Sequence, residues 1–438
     1  MITFPDIPSL LEPERIGPVC LFRSSATDLL KLDFVFEAGS FYQPQLLTAV
    51  AAAKLMTVAT RTMDAQRLSE FLDARGIVAE STSNLFTSCL TLYTHRRYAE
   101  ELLPVVAEML REPALTEGDF EVWRSAKRQE LAVHQQRSST VARRLWYQAL
   151  FGTDHPLGHA AAPEDADRLQ LDVVRDYFRQ HYPSAPRHIT LSGAVDEQLI
   201  NMLNTNTIVP SLPLTPSHSL SLPTPHSSLP TPHSSLTPHS SLLTPHSSLL
   251  PPPSPLTAHL PTSQQTSIRI GRILPHADTI PFEDSARLAV CTSLLGGYFG
   301  SRLMSNLRED KGFTYGVSAH IQPYRGCRVF FIASDVAAGT ADEATREALG
   351  ELQRLADTPP SHEELDTVKS ILAGDAMRML DGVFERSDRF CDLIESGPVD
   401  LYDPRFPQVL HDTTPEQVSA LMHKWLLPDS MLCCQAGA

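Results

Sequence analysis

A long block without charged residues divides this chain of 438 residues. Residues 198–268 contain no Asp, Glu, Lys or Arg, and the hexapeptide TPHSSL occurs there four times, at intervals of six or seven residues. Proline at this density excludes helices and central strands, and the repeat is too short for a solenoid unit. The block is therefore predicted to be a disordered Pro/Ser/His-rich linker over 205–265. The chain must then fold as two units, residues 1–204 and 266–438.

The charge of the chain limits its partners. The formal net charge is -15, which argues against nucleic acid as a ligand and is compatible with basic peptides as clients. The N-terminus lacks the basic and apolar regions of a signal peptide. No apolar run reaches the length of about 18 residues that a membrane span needs, so we expect neither nucleic acid nor a membrane span.

The cysteines indicate a reducing compartment. There are seven, an odd number, and they are scattered without any C-x-x-C pair. This pattern predicts neither a disulfide framework nor a cysteine zinc site. Reduced thiols are typical of a cytoplasmic protein, and a cytoplasmic location is the prediction.

The first unit alternates strands and helices. LDFVFEAGS is predicted as a strand, QLLTAVAAAKLMTVATRT as a buried helix and IVAESTSNLFTSCLTLYT as two strands joined by a turn. DAQRLSEFLDARG is predicted as an amphipathic helix that begins after Asp64 and stops at Gly76. Two long helices, from YAEELLPVVAEMLREP and DFEVWRSAKRQELAVHQQR, and a closing strand, RHITLSGAV, complete this unit.

The second unit repeats the same order. TSIRIGRIL is predicted as a strand, SARLAVCTSLLGGYFG as a buried helix and SRLMSNLRED as a short helix. A strand pair, two long helices and the closing strand SMLCCQAGA follow. The pattern predicts two homologous α+β domains, each a mainly antiparallel sheet with helices packed on one face.

One polar segment is the strongest indication of a site. LREDKGFTYG, at 307–316, places Arg308 and Tyr315 seven residues apart, directly after the short helix. Together with the upstream GYFGSRLMSN, and with FEAGS and FGTDHPLG in the first unit, it resembles the C-terminal half of the pitrilysin/insulinase zinc metallopeptidases, which include the mitochondrial processing peptidase subunits. The resemblance implies a clamshell of two domains around a peptide chamber. It also implies that Arg308 and Tyr315 bind the substrate and its developing oxyanion.

The same resemblance reveals a missing zinc site. The family carries His-x-x-Glu-His on the first buried helix, where two histidines bind zinc and the glutamate activates water. Aligned on FEAGS, the motif falls on VAAAK, so its positions are the degenerate Val50, Ala53 and Lys54. The chain has no histidine before His95 and no glutamate between positions 37 and 70. This helix is therefore predicted to bind no zinc and to supply no base.

Five other residues are candidates to replace the missing ligands. Glu130 is the nearest candidate for the distal ligand of the family, and a solvated charge on a helix face is the simpler interpretation. His95, His134, His155 and His159 are the histidines of the first unit from which a relocated metal site could be built. No third ligand is evident for such a site. The predicted cofactor is therefore none, with zinc expected only in a partner subunit.

These observations predict a catalytically inactive subunit. It would pair with a zinc-bearing homologue, form a peptide chamber with it and contribute Arg308 and Tyr315 to substrate binding in trans. The alternatives are a scaffold or peptide-binding protein of the same fold that cleaves nothing, and an active zinc peptidase with relocated ligands.

Overall fold

A computed structural model describes residues 11–182, 186, 188–205, 255–396 and 403–438. The predicted disordered linker lies largely in 206–254, outside the described residues. Residues 11–205 are called the N-terminal half below, and residues 255–438 the C-terminal half.

The N-terminal half is built on a six-stranded sheet with the order β1-β2-β6-β3-β5-β4. Its strands are β1 (Glu14–Ile16), β2 (Val19–Arg23), β3 (Leu29–Phe36), β4 (Val78–Ser83), β5 (Ser88–His95) and β6 (His188–Gly193). Neighbouring strands are antiparallel except β2 and β6. The strand β4 lies at one edge, so one side of its backbone has no strand partner within the described part of the chain.

Eight α-helices belong to the N-terminal half in the described residues. They are α1 (Thr48–Leu55), α2 (Ala65–Asp73), α3 (Ala99–Arg111), α4 (Glu117–His134), α5 (Ser138–Phe151), α6 (Pro163–Arg168), α7 (Leu171–His181) and α8 (Glu197–Thr205). The side chain of Asp64 caps α2 by accepting a hydrogen bond from the Arg67 amide, and Gly76 has a φ of 60° at the stop. Both ends of α2 therefore follow the sequence prediction.

The C-terminal half contains a five-stranded sheet with the order β7-β11-β8-β10-β9. Its strands are β7 (Leu256–His259), β8 (Gln265–Pro275), β9 (Thr314–Tyr324), β10 (Cys327–Ala337) and β11 (Leu432–Gly437). The strand β7 lies within the predicted linker, so the domain boundary at 266 is ten residues late. Local pattern could not show this, because β7 becomes a strand only by pairing in parallel with the last strand of the chain.

The described part of the C-terminal half also contains helices. They are α9 (Phe282–Gly296), a π-helix (Met304–Asp310), α10 (Ala341–Asp357), α11 (His362–Arg378), α12 (Val383–Ser396), α13 (Phe406–Asp412) and α14 (Pro415–Trp425). Each half has its own core between its sheet and its helices. The predicted α+β class with two mainly antiparallel sheets is confirmed.

The two halves exchange helices. The helix α5 of the N-terminal half lies on the C-terminal sheet, where the buried Trp146 donates a hydrogen bond to the carbonyl of Leu432 at 3.0 Å. The helix α12 of the C-terminal half lies on the N-terminal sheet, where the rings of Phe390 and Phe22 meet edge to face at 5.6 Å. Each sheet thus carries its own helices on one face and a helix of the other half on the opposite face.

Candidate functional site

The predicted substrate-binding arginine lies on a π-helix. The amide of Lys311 donates to the carbonyl of Asn306, five residues earlier, at 3.0 Å. Met304 and Leu307 are buried beneath this helix, whereas Arg308 on its other side is half-buried. The sequence pattern predicted an ordinary short helix over 301–310. The wider π turn is rare, is associated with functional sites, and cannot be read from the spacing of apolar residues.

Arg308 and Tyr315 line one cleft of about 700 Å³. Tyr315 is the second residue of β9 and is 91% exposed. The guanidinium carbon of Arg308 lies 4.4 Å from the ring centroid of Phe299, which is itself 62% exposed. Neither Arg308 nor Tyr315 is hydrogen-bonded or ion-paired to another side chain in the described ranges. The structure therefore brings the two predicted residues together with uncommitted donor groups.

A network of hydroxyl groups holds the start of β9. The Thr314 hydroxyl donates to the carbonyl of Asp335 at 2.7 Å, and the Ser334 hydroxyl donates to the Thr314 oxygen at 3.0 Å. The pairing of β9 with β10 changes register at this point, between Ser334 and Val336. The backbone that carries Tyr315 is thereby fixed. Sequence reasoning did not single out Thr314, Ser334 or Phe299, although FTYG and GYFG lie inside the motif.

The residues at the degenerate zinc-motif positions do not fit a metal ion. Val50 is half-buried, Ala53 is buried and Lys54 is exposed on α1. Valine and alanine have no side-chain donor atom, and the lysine ammonium has no lone pair for a metal. Zinc in proteins is bound by Cys, His, Asp and Glu, and the helix α1, TAVAAAKL, contains none of these. No catalytic step through zinc can be assigned to this helix.

Glu130, the distal-ligand candidate, belongs to an ion-pair cluster on α4. Its carboxylate lies 2.8 Å from the ammonium of Lys127 and 3.9 Å from Nδ1 of His134. The side chain of Glu130 is 47% exposed. The structure thus agrees with the interpretation of Glu130 as a solvated charge on a helix face.

The four histidines that are candidates for a relocated metal site do not meet at one point. Nδ1 of His95 accepts a hydrogen bond from the Arg97 amide, and Nδ1 of His155 accepts one from the Leu157 amide. His134 and His159 both line a cleft between the two halves. Across the described ranges, no group of three or more His, Cys, Asp or Glu side chains is placed to hold a metal ion.

The cysteines are unsuited to nucleophilic catalysis. All seven are free thiols. Burial raises the pKa of Cys20, Cys327 and Cys433 to about 11 and the pKa of Cys291 and Cys434 to about 12. A thiol with such a pKa is protonated at neutral pH and is a poor nucleophile.

Comparison with known proteins identifies the family. Residues 168–372 match the family model described as the peptidase M16 inactive domain. The family that this chain resembles is the M16 peptidase family. This is the pitrilysin/insulinase family that the motifs indicated, so that prediction is confirmed. Where the structure describes the chain, no helix of this M16 homologue is long and apolar enough to cross a membrane.

Some of the similar M16 proteins are longer than this chain. An uncharacterized zinc protease of Streptomyces coelicolor is 23% identical in an alignment of 341 residues, and the match covers 73% of this chain and 65% of that protein. The peptidase M16 inactive domain of Pseudomonas fluorescens has a TM-score of 0.73 at 19% identity, over 96% of this chain and 95% of that one. The periplasmic protease PqqL of Escherichia coli has a TM-score of 0.68 at 14% identity, over 94% of this chain but 43% of PqqL. These structures share the fold.

Proposed function

We propose that this M16 homologue is a non-catalytic subunit that holds peptides for a zinc-bearing homologue. The observation that carries the proposal is the cleft in which Arg308 and Tyr315 lie together with free donor groups. The same chain has Val50, Ala53 and Lys54 where the family has its zinc ligands and base. One half of an active site is present in this chain, and the other half would come from the partner.

The chemistry of the two side chains fits this role. A guanidinium and a phenol are both hydrogen-bond donors that can bind the carbonyl oxygen of a scissile peptide bond. Because negative charge grows on that oxygen during attack, the same donors bind the transition state more strongly than the substrate. Arg308 and Tyr315 would then increase the rate at a site whose metal and base belong to the partner.

The surroundings of the cleft support contact with another chain. Phe299 and Tyr315 are among the most exposed large hydrophobic side chains of the described residues. Phe299 stacks on Arg308, and Tyr315 lines the same cleft. Exposed aromatic side chains beside an arginine are typical of contact sites. In addition, the fold occupies 43% of the longer protease PqqL, which leaves room for a second unit of similar size in that protein. A separate partner subunit would supply that unit here.

The test is a peptidase assay of the reconstituted pair. The chain is purified alone and together with a zinc-bearing M16 homologue from the same organism, with metal analysis of both. The pair is expected to cleave peptides, and this chain alone is expected neither to cleave nor to hold stoichiometric zinc. Arg308→Ala and Tyr315→Phe should each lower kcat of the pair by about 10²-fold. Arg346→Ala, at an exposed arginine of α10, is the matched control and should leave kcat unchanged.

Two outcomes would favour the other hypotheses. A stable assembly without any zinc-bearing homologue, indifferent to Arg308→Ala, would indicate a scaffold or peptide-binding protein that cleaves nothing. Peptidase activity with stoichiometric zinc in this chain alone would indicate an enzyme with relocated ligands. The cytoplasmic location stays a prediction, based on the free thiols.

A further inference from the structure

The cleft between the two halves is separate from the cleft at Arg308. It has a volume of about 720 Å³, and we call it the inter-half cleft. Its walls come from the β4–β5 turn, the end of α4, α5, the loop at 156–161 and the β9–β10 turn. The hydroxyls of Tyr147 and Tyr324 meet at 2.8 Å and join the walls of the two halves. Thr314 at the start of β9 lines the cleft at Arg308, and Tyr324 at its end lines the inter-half cleft. A strand of this length places the two residues roughly 33 Å apart.

Arginines and histidines line the inter-half cleft. They are His134, Arg143, Arg144, His159 and Arg325. No aspartate or glutamate lines the cleft among the described residues, although the chain as a whole has a net charge of -15. A random patch of such an acidic surface would contain carboxylates. The absence of carboxylates here concentrates positive potential in a concave, partly enclosed site.

Two of these arginines have no protein counter-ion. Arg143 and Arg144 form no ion pair with a carboxylate in the described ranges, whereas Arg96 and Arg302 each form a bidentate pair with one. Arg269 lies on β8, the strand on which the helix α5 with Arg143 packs. Burial is the larger cause that lowers the pKa of Arg269, and the positive charge of Arg143 lowers it further. Like charges held close together repel each other. An anionic ligand would relieve that repulsion and would accept the free guanidinium hydrogens.

The position of the cleft favours a peptide as the source of the anion. The edge strand β4 ends at Ser83, and Ser83 lines the cleft. An exposed strand edge can pair with an extended peptide through backbone hydrogen bonds. A peptide laid along β4 would enter the cleft, where Asn84, Gln135 and Gln322 offer amide groups for its backbone. The arginines would then meet its side chains.

We infer that the inter-half cleft binds the acidic segment of a peptide client through Arg143 and Arg144. This inference rests on the proposed peptide-holding function and adds a preference for the substrate. Composition alone pointed to basic clients. The distribution of charge over the fold points to acidic ones, because a ligand responds to the potential of the cleft it occupies and not to the net charge.

Fluorescence anisotropy with the full chain tests this inference. Two labelled peptides of equal length are compared, and they differ only by exchange of every Glu for Gln. The wild-type chain should bind the Glu peptide about tenfold more tightly, since a charge-assisted hydrogen bond contributes about that much. In Arg143→Gln/Arg144→Gln the preference should disappear while binding of the Gln peptide is unchanged. Arg346→Gln, the same charge change on an exposed arginine elsewhere, should retain the preference.

The possible outcomes separate this inference from the proposed function. Equal affinity of the wild-type chain for both peptides overturns the acidic preference, and the proposed function stands on the Arg308→Ala assay with the partner. Binding of inorganic tripolyphosphate that depends on Arg143 and Arg144, without a Glu preference, would make the cleft an oligophosphate site and overturn the assignment to peptides. A Glu preference that disappears in the double variant, with an unchanged thermal melt, supports the inference even if Arg308→Ala has no effect.

Discussion

Lys31 of β3 and Asp388 of α12 form an ion pair that joins the two halves of the chain. The Lys31 side chain is 2% exposed, and its ammonium also lies 2.9 Å from Asp33, which is equally buried. Asp33 in turn accepts a hydrogen bond from the Thr91 hydroxyl at 2.8 Å. Burial opposes the charge of Lys31, but the two carboxylates outweigh it and raise the pKa of Lys31 above its ordinary value. The exchanged helix α12 therefore docks on a buried charge.

Replacing the buried lysine should destabilise the protein strongly. Lys31→Met leaves the buried carboxylate of Asp33 without its counter-ion, which costs about 3–5 kcal/mol. Lys31→Met/Asp33→Leu removes both charges and should recover most of that loss. Asp388→Asn, at a side chain that is 47% exposed, should cost about 1 kcal/mol or less. Urea unfolding of the three variants measures these differences. Equal stability of Lys31→Met and wild type would show that the ion pair does not hold α12.

Trp146 is expected to be the main apolar anchor of the other exchanged helix. It is fully buried on α5 and donates to the Leu432 carbonyl across the two halves. Trp146→Ala should lower the free energy of unfolding by about 3–5 kcal/mol through the cavity it leaves. Val122→Ala, at a valine that is 71% exposed, is the control and should change it by less than about 0.5 kcal/mol. A small effect of Trp146→Ala in thermal and urea unfolding would contradict the anchoring role.

Two deletions of different length within the uncharged block at 198–268 should differ in their effect on the melting temperature. Deletion of 211–250 removes the TPHSSL repeats and should leave folding intact, because the free energy of loop closure changes slowly with length. Deletion of 211–262 also removes β7, whose Leu256 and Ala258 pack against the cluster around Trp146. The longer deletion should therefore melt at a lower temperature than the shorter one. Identical melting curves would show that β7 contributes no stability.

Stability should fall on acidification partly through His181. Its Nδ1 lies 2.9 Å from the Glu37 carbonyl, and its ring contacts those of Tyr42 and Tyr177. Burial lowers the pKa of His181 below 6.5. As the pH falls through 6.5, the unfolded chain gains a proton at this histidine before the folded chain does. The stability that the neutral His181 contributes is therefore fully present above pH 6.5. It is lost as the pH falls toward the pKa that His181 has in the folded protein.

His181→Phe keeps an aromatic ring at this position and removes the titration. Between about pH 7 and about pH 5, a range that brackets the usual pKa of histidine, the variant should lose less stability than the wild type. Burial also lowers the pKa of His276 and His320, so both proteins should retain part of the slope. Parallel urea midpoints of the two proteins across this range would contradict the assignment to His181.

Helix ends and strands were predicted well where interactions between residues close in sequence determine them. Asp64 and Gly76 bound α2 because a side-chain cap and a left-handed stop act within one turn of the chain. The strands β4 and β5 follow the alternation of their sequences for the same reason, and β3 follows its apolar run. By contrast, the linker prediction included β7, because its one strand partner among the described residues, β11, is more than 170 residues away in sequence.

The candidate site was predictable only in part. The pair Arg308 and Tyr315 was found through its motif, and the structure adds that both side chains line one cleft. The π-helix beneath Arg308 and the exposed Phe299 beside it were missed, because apolar spacing does not distinguish a π turn from an α turn. The inter-half cleft has no sequence signal, since its basic residues come from segments that are distant along the chain.

The sequence by itself determined what this chain lacks and which local elements it forms. A helix with Val50, Ala53 and Lys54 at the motif positions cannot bind zinc in any tertiary arrangement, because the ligand atoms do not exist. Only the tertiary structure decided that α5 and α12 each pack on the sheet of the other half. It also decided that basic side chains lie together in one cleft of an acidic protein. Residue type is a local property, whereas contacts and electrostatic potential depend on residues that only the folded chain brings together.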